Sequence, residues 1–190
     1  MTQVVLLHSA LGLTEDVSDW ADGLRGQGHE VIVPDLFDGD TFDTIDAGVE
    51  RVDSLGMVGH VEKARELTAD VEGPRVYIGF SFGGGIAQIL ALQEPDAVAA
   101  VVLHGAMSPA WFGIATWPAR LRMQLHYMGD DEWLEQDEVA ALRALAPAGA
   151  IDEFTYPGET HLYAFANYDD YDEQASELTF ERIAEFLDGF

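Results

Sequence analysis

Residues 79–83 read Gly79-Phe80-Ser81-Phe82-Gly83 and lie between the apolar run Val76-Tyr77-Ile78 and a helical pattern that begins near Gly84. A chain that passes from strand to helix at a single serine must turn sharply there. The turn holds the serine in a strained backbone conformation and lifts its Oγ above the sheet. Side chains two positions to either side would collide with the strand or the helix, so both places need glycine. The pentapeptide alone is weak evidence in a chain with 19 glycines. Its place between a strand and a helix is what gives it weight.

Short apolar runs alternate with helical patterns along the rest of the chain. That alternation predicts an α/β fold: a mainly parallel, twisted sheet of about six to seven strands with helices on both faces. At 190 residues the chain is expected to form one domain over 1–190, without a large cap domain. Strands are expected at Gln3–His8, Glu30–Asp35, Arg75–Phe80, Ala99–His104, Met123–Met128 and Ile151–Tyr156, most of them apolar on both faces. Helices are expected near Val17–Gly26, Val61–Val71, Gly83–Gln93, Leu134–Ala146 and Gln174–Leu187. Asp35–Gly56 reads as a polar crossing with little periodicity. Ala106–Arg120, with Trp111, Phe112 and Trp117, is too irregular for a helix and too apolar for a solvent loop, so it is expected to cover something.

The net charge is −26, from 35 acidic and 9 basic residues, with Lys63 the single lysine. A surface this negative repels nucleic acid and anionic membranes, and it favours a neutral or cationic substrate. No apolar stretch approaches membrane-spanning length, and Val4-Val5-Leu6-Leu7 has neither a basic segment nor a cleavage site before it. The expectation is a cytoplasmic protein, monomeric or a small homo-oligomer. The absence of cysteine excludes disulfides, thiolate metal sites and a cysteine nucleophile. No cofactor or metal is expected: Asp169-Asp170-x-Asp172 lacks the glycine and glutamate of a calcium loop and reads as a solvated turn. Gly83-Gly84-Gly85 has no lysine after it to bind phosphate.

A serine hydroxyl needs a base to take its proton, and the base needs an acid to fix its tautomer. Hydrolases built on this turn place them in the order serine, acid, histidine. After Ser81, one strand ends at His126-Tyr127-Met128-Gly129-Asp130-Asp131, and on local grounds either aspartate could orient the base. A later strand ends at Tyr156-Pro157-Gly158-Glu159-Thr160-His161, which makes His161 the expected base. Among the other histidines, His29 and His60 read as surface turns, His126 as a satisfied core imidazole, and His104 as a neighbour of the active edge. The developing oxyanion needs two N–H donors. Phe82, at the start of the helix, is expected to supply one, and Ala10, in the loop after the first strand, the other.

Five segments in order, His8-Ser9-Ala10-Leu11-Gly12-Leu13, Val31-Ile32-Val33-Pro34-Asp35-Leu36-Phe37, Gly79-Phe80-Ser81-Phe82-Gly83-Gly84, His126-Tyr127-Met128-Gly129-Asp130-Asp131 and Tyr156-Pro157-Gly158-x-x-His161, resemble the dienelactone hydrolase family of α/β-hydrolases. The likeness spans nearly the whole chain. It implies the α/β-hydrolase fold, a triad in which the family spacing favours Asp131 over Asp130, and an oxyanion hole at Ala10 and Phe82. The chain departs from the founding members in three ways. Ser81 stands where they carry cysteine, Ser9 stands where they carry a glutamate, and no arginine sits at the active edge to hold a substrate carboxylate.

The expected function is therefore hydrolysis of a small carboxylic ester or lactone through an acyl-enzyme on Ser81. A thioesterase or acyltransferase would use the same triad, and a non-catalytic binding protein could keep the same fold. Ser9, Leu11, Trp111, Trp117 and Tyr163 are the expected lining of the substrate pocket. The charge leaves two readings open, adaptation to a salt-rich cytoplasm or an ordinary acidic protein. They part in a urea melt: adaptation predicts that stability rises from low to molar salt, through screening of self-repulsion, and the alternative predicts no gain.

Overall fold

In β1 (Gln3–Leu7), the side chains of Val4, Val5, Leu6 and Leu7 are all fully buried, as befits a strand covered by helices on both faces. The computed structural model describes residues 2–190. After β1 come α1 (Glu15–Gly26), β2 (Glu30–Ile32), α2 (Ile45–Leu67), β3 (Arg75–Phe80), α3 (Phe82–Gln93) and β4 (Ala97–Leu103). A 3₁₀ turn (Pro109–Phe112) leads to β5 (Arg122–Met128), α4 (Gln136–Leu145), β6 (Ile151–Tyr156) and α5 (Glu173–Leu187). The six strands pair in parallel in the order β2-β1-β3-β4-β5-β6. The chain leaves β1 on one side to form β2 and crosses back to form β3. The winding reverses between β1 and β3, and a crevice opens there above the carboxyl ends of the strands.

Alternate strand residues feed two cores. Val5, Leu7, Tyr77, Val102 and Leu125 pack with Val61, Ile86, Leu90 and Leu142 of α2, α3 and α4. Val4, Leu6, Val76, Ile78 and Val101 pack with Val17, Leu24, Ile183 and Leu187 of α1 and α5. Among the described residues no helix is long and apolar enough to cross a membrane.

The crossing that reads as irregular from Asp35 to Gly56 is half helical. Thr44 accepts a hydrogen bond from the Ala47 N–H and starts α2 at Ile45, and the helix kinks at Gly56, where φ is 71° and ψ 164°. Its glycines hide the helical period in the sequence, and one of them has a packing role. A Cβ on Gly48 would lie 1.9 Å from the carbonyl oxygen of Ala10, so only glycine lets α2 lie against the loop after β1. His60, expected in a surface turn, is instead fully buried in this helix and meets Phe82 edge-on at 5.0 Å. The kink redirects the second half of α2 onto the core, carrying His60 inward with it.

The turn at Ser81 is packed backbone against backbone. A Cβ on Gly79 would lie 2.1 Å from the Gly83 carbonyl oxygen, and one on Gly83 would lie 2.3 Å from that of His8. Gly79→Ala is expected to lower stability by about 1–3 kcal/mol or more through overpacking. Gly26→Ala, with nothing within 4 Å of the added carbon, is expected to be neutral or to add about 0.4–1 kcal/mol. Urea midpoints of the two variants at unchanged slope would check both.

Candidate active site

Ser81 follows β3 directly and precedes the first residue of α3. Its φ of 53° and ψ of −114° are a strained conformation for a residue with a side chain. The strain is held by a 2.7 Å bond from the Ser81 N–H to the carbonyl of Leu103, together with the glycine packing on either side.

The Ser81 hydroxyl lies 2.7 Å from Nε2 of His161, and Nδ1 of the same ring lies 2.7 Å from Oδ2 of Asp131. A carboxylate only accepts, so Nδ1 carries the proton and Nε2 is left to accept the serine hydroxyl. The other oxygen of Asp131 accepts the N–H of Trp133 at 2.9 Å, and the carboxylate is wholly buried. Asp130, equally available on local sequence grounds, lines a neighbouring cleft with Glu132 and Glu159 and does not bond His161. The histidine loop has its own tether: Asp170 Oδ2 accepts the backbone N–H groups of His161 and Leu162 at 3.0 and 3.1 Å. The run Asp169-Asp170-x-Asp172 is thus more than a solvated turn, since Asp172 also accepts the Ala175 N–H and starts α5. Its three acids resemble any surface turn in sequence, and only the return of the chain beneath His161 gives Asp170 its partners.

The N–H of Phe82 has no acceptor inside α3, because it begins the helix. It sits where the helix dipole favours negative charge. Facing it across the crevice is the loop after β1. His8 donates from Nδ1 to the carbonyl of Ser9 at 2.7 Å and accepts the Leu36 N–H at Nε2, 3.0 Å away. The Ser9 Oγ accepts from Leu11, and Gly12 bonds back to Ser9. These turn bonds use the N–H groups of the two residues after Ala10 and leave its own N–H out.

The dienelactone hydrolase family profile matches residues 1–190. The chain belongs to the dienelactone hydrolase family. Its backbone superposes on the dienelactone hydrolase-like promiscuous phosphotriesterase P91 from metagenomic libraries with a TM-score of 0.84, at 18% identity, over 100% of this chain and 86% of that one. A candidate dienelactone hydrolase of Klebsiella pneumoniae subsp. pneumoniae gives 0.82, at 19% identity, over 100% and 88%. At such identities the likeness establishes the shared α/β-hydrolase fold. Lipase LipV of Mycobacterium tuberculosis is 32% identical over 127 residues, which are 65% of this chain and 42% of that relative, so the match spans less than half of the lipase.

Within this family fold, the space beside Ser81 is a pocket of about 200 Å³ lined by Met57, Phe82, Gly85, Met107, Trp133, Glu135, Glu138 and His161, among others. A larger cleft, about 470 Å³, lies between α1 and α5 around Trp20 and Phe180 and contains none of the three bonded residues.

The expected lining is largely corrected. Tyr163 is fully buried, its hydroxyl bonded to Thr179. Ser9 is buried with its Oγ engaged in the turn. Leu11 faces a different cleft with Phe42 and Tyr168. Trp111 projects into solvent, 67% exposed, and Trp117 bonds the Leu121 carbonyl at the edge of the core. The aromatic segment does cover the site, but through Ala106 and Met107, because the 3₁₀ turn faces its tryptophan outward. Met57 and Trp133 were not legible: one depends on the kink at Gly56, the other on a bond to Asp131.

The rings of His8, His104 and His126 are also buried behind this apparatus. Burial lowers His8 to about 4 and His126 to about 3, and pushes His104 well below the ordinary value. His126 is the satisfied core ring expected, bonded to Tyr156 and Gln124. His104 leaves β4 with φ of 64° and packs 5.7 Å from the His161 ring. The unfolded chain binds a proton at each of these rings near pH 6.5 and the native state does not. The stability they confer is therefore complete above that pH and is lost as pH falls toward about 4. The urea midpoint is expected to fall between pH 7 and pH 5, and His126→Gln is expected to flatten that fall.

Proposed function

We propose that the protein is a carboxylic-ester hydrolase that works through an acyl-enzyme on Ser81, with His161 as base then acid and Asp131 as its orienting group. The observation that carries this reading is the unbroken line from Ser81 Oγ through His161 to the buried Asp131, with both contacts at 2.7 Å. Family membership supports ester hydrolysis as the reaction class.

In the first half of the reaction, Oγ attacks the ester carbonyl carbon while Nε2 of His161 takes the hydroxyl proton. The carbonyl oxygen gathers negative charge and is met by the N–H groups of Phe82 and Ala10. As the bond to the alcohol oxygen breaks, the imidazolium returns its proton to that oxygen, the alcohol leaves, and Ser81 remains acylated. Water then repeats the sequence on the acyl-enzyme: Nε2 takes a proton from the attacking water and gives it back to Oγ, and the carboxylic acid is released. Asp131 holds the proton on Nδ1 throughout and stabilises the imidazolium. The pocket of about 200 Å³ beside the serine suits a small acyl or alcohol group, so short esters and lactones are the proposed substrates.

Ser81→Ala is expected to abolish fluorophosphonate labelling and to cut p-nitrophenyl acetate hydrolysis to background. Asp131→Asn is expected to lower kcat about ten-thousand-fold with little change in folding, because it leaves the imidazole in the wrong tautomer. Unchanged turnover in purified Ser81→Ala protein would refute the mechanism.

A further inference from the structure

The pocket beside Ser81 has a one-sided charge pattern. Glu135 and Glu138 line it, and no lysine or arginine does. Among the described residues neither carboxylate pairs with a lysine or arginine. Both belong to the start of α4, where the helix dipole favours acids whatever else they do. Two details separate them from ordinary helix-start acids. Glu135 occupies the cap position, yet its side chain makes no capping bond. Asp137, exposed in the same turn, serves the dipole without lining the pocket, whereas Glu135, also exposed, and the half-buried Glu138 both line it. Burial raises Glu138 above the usual carboxylate range, against a hydrogen bond from the Ser108 backbone N–H that lowers it, and Glu135 adds to the rise.

The remaining walls are apolar and polarisable. Trp133 is 44% exposed at the mouth, with its ring 5.9 Å from that of His161 and its backbone N–H tied to Asp131. Met107 and Met57 close on Gly85, where an added Cβ would meet their Sδ and Cε atoms at 2.7 and 3.5 Å. Gln88 fixes the Met107 backbone through bonds of 2.6 and 2.9 Å. A tryptophan face, two thioethers and two unpaired carboxylates form a receptor for an organic cation, since ring quadrupole and carboxylates attract the same charge.

We propose that Trp133, Glu135 and Glu138 form a cation subsite, and that the preferred substrates are small carboxylic esters carrying an ammonium or quaternary ammonium group. The inference rests on the esterase reading above and adds the substrate class to it. The charged head sits between Trp133 and the two glutamates, which leaves the carbonyl of a short ester over Ser81.

Acetylcholine and 3,3-dimethylbutyl acetate have the same shape and differ only in charge, so their ratio of kcat/KM isolates the subsite. The wild-type protein at low ionic strength is expected to favour acetylcholine about tenfold. Glu135→Gln/Glu138→Gln is expected to bring the ratio near one. Asp70→Asn/Asp188→Asn removes the same net charge at exposed positions outside the pocket and is expected to keep it, which separates a local subsite from the field of the whole acidic protein. In a second readout that needs no turnover, choline is expected to slow fluorophosphonate labelling of Ser81 more than 3,3-dimethylbutanol does, and to lose that advantage in the Glu135→Gln/Glu138→Gln variant. A ratio near one in the wild type, or an equal fall in both double variants, overturns the subsite while leaving the esterase reading intact. Absence of both labelling and ester turnover overturns the two together.

Discussion

The carbonyl oxygens of Leu7 and His8 lie within 2.5 Å of where a side chain on Gly83 would begin, so α3 reaches the sheet with no atoms to spare between backbones. The rest of the site depends on that closeness. It lets β3 turn into α3 within one residue, and it forces Ser81 into the left-handed region that raises its hydroxyl above the strand ends. The same contact brings the start of α3, with the N–H of Phe82, against the loop that carries Ala10. Gly48 continues the pattern on the other side by bringing α2 against the carbonyl of Ala10. Two close approaches, each admitting only a glycine hydrogen, bring Ser81 and the N–H groups of Phe82 and Ala10 to one crevice.

Asp131 and His161 come from the far half of the sheet, where different forces hold them. Parallel register between β5 and β6 sets the two loops side by side, and Gly129 and Asp130 bond across to the carbonyls of Tyr156 and Gly158. Asp170 then fixes the histidine backbone from below. Asp131 has both oxygens occupied, one by the imidazole and one by Trp133. A buried carboxylate is tolerated only when its lone pairs are satisfied in this way. The bond to the Trp133 backbone also fixes a tryptophan at the pocket mouth, so one residue ties the orientation of the His161 ring to the shape of the pocket wall.

Around this frame the protein keeps positive charge away from the crevice. Lys63 and six of the eight arginines form ion pairs elsewhere, such as Arg143 with Glu153 and Arg65 with Glu94, and burial lowers the pKa of the histidines behind the site. The pocket is therefore acidic locally as well as globally, and a net charge of −26 adds a long-range field of the same sign that salt can screen.

Much of this was legible in the chain because it is local. The strands Arg75–Phe80 and Ile151–Tyr156 stand where the apolar runs place them, and the glycines around Ser81 announce a turn that no other residue could make. The order of serine, acid and histidine is likewise a property of the sequence. Contacts between distant segments were not legible. The first half of α2 is obscured by glycines whose purpose appears only when Gly48 meets Ala10. His60, Trp111 and Tyr163 carry no mark in sequence of which way they face, and nothing local marks that Asp131, and not Asp130, bonds the ring of His161 30 residues away. Sequence by itself determined the strained turn, the parallel sheet and the chemistry available at Ser81, because these follow from backbone sterics and the spacing of apolar residues. Only the tertiary structure decided which side chains line the pocket, because helix kinks and long-range hydrogen bonds set the direction in which each one points.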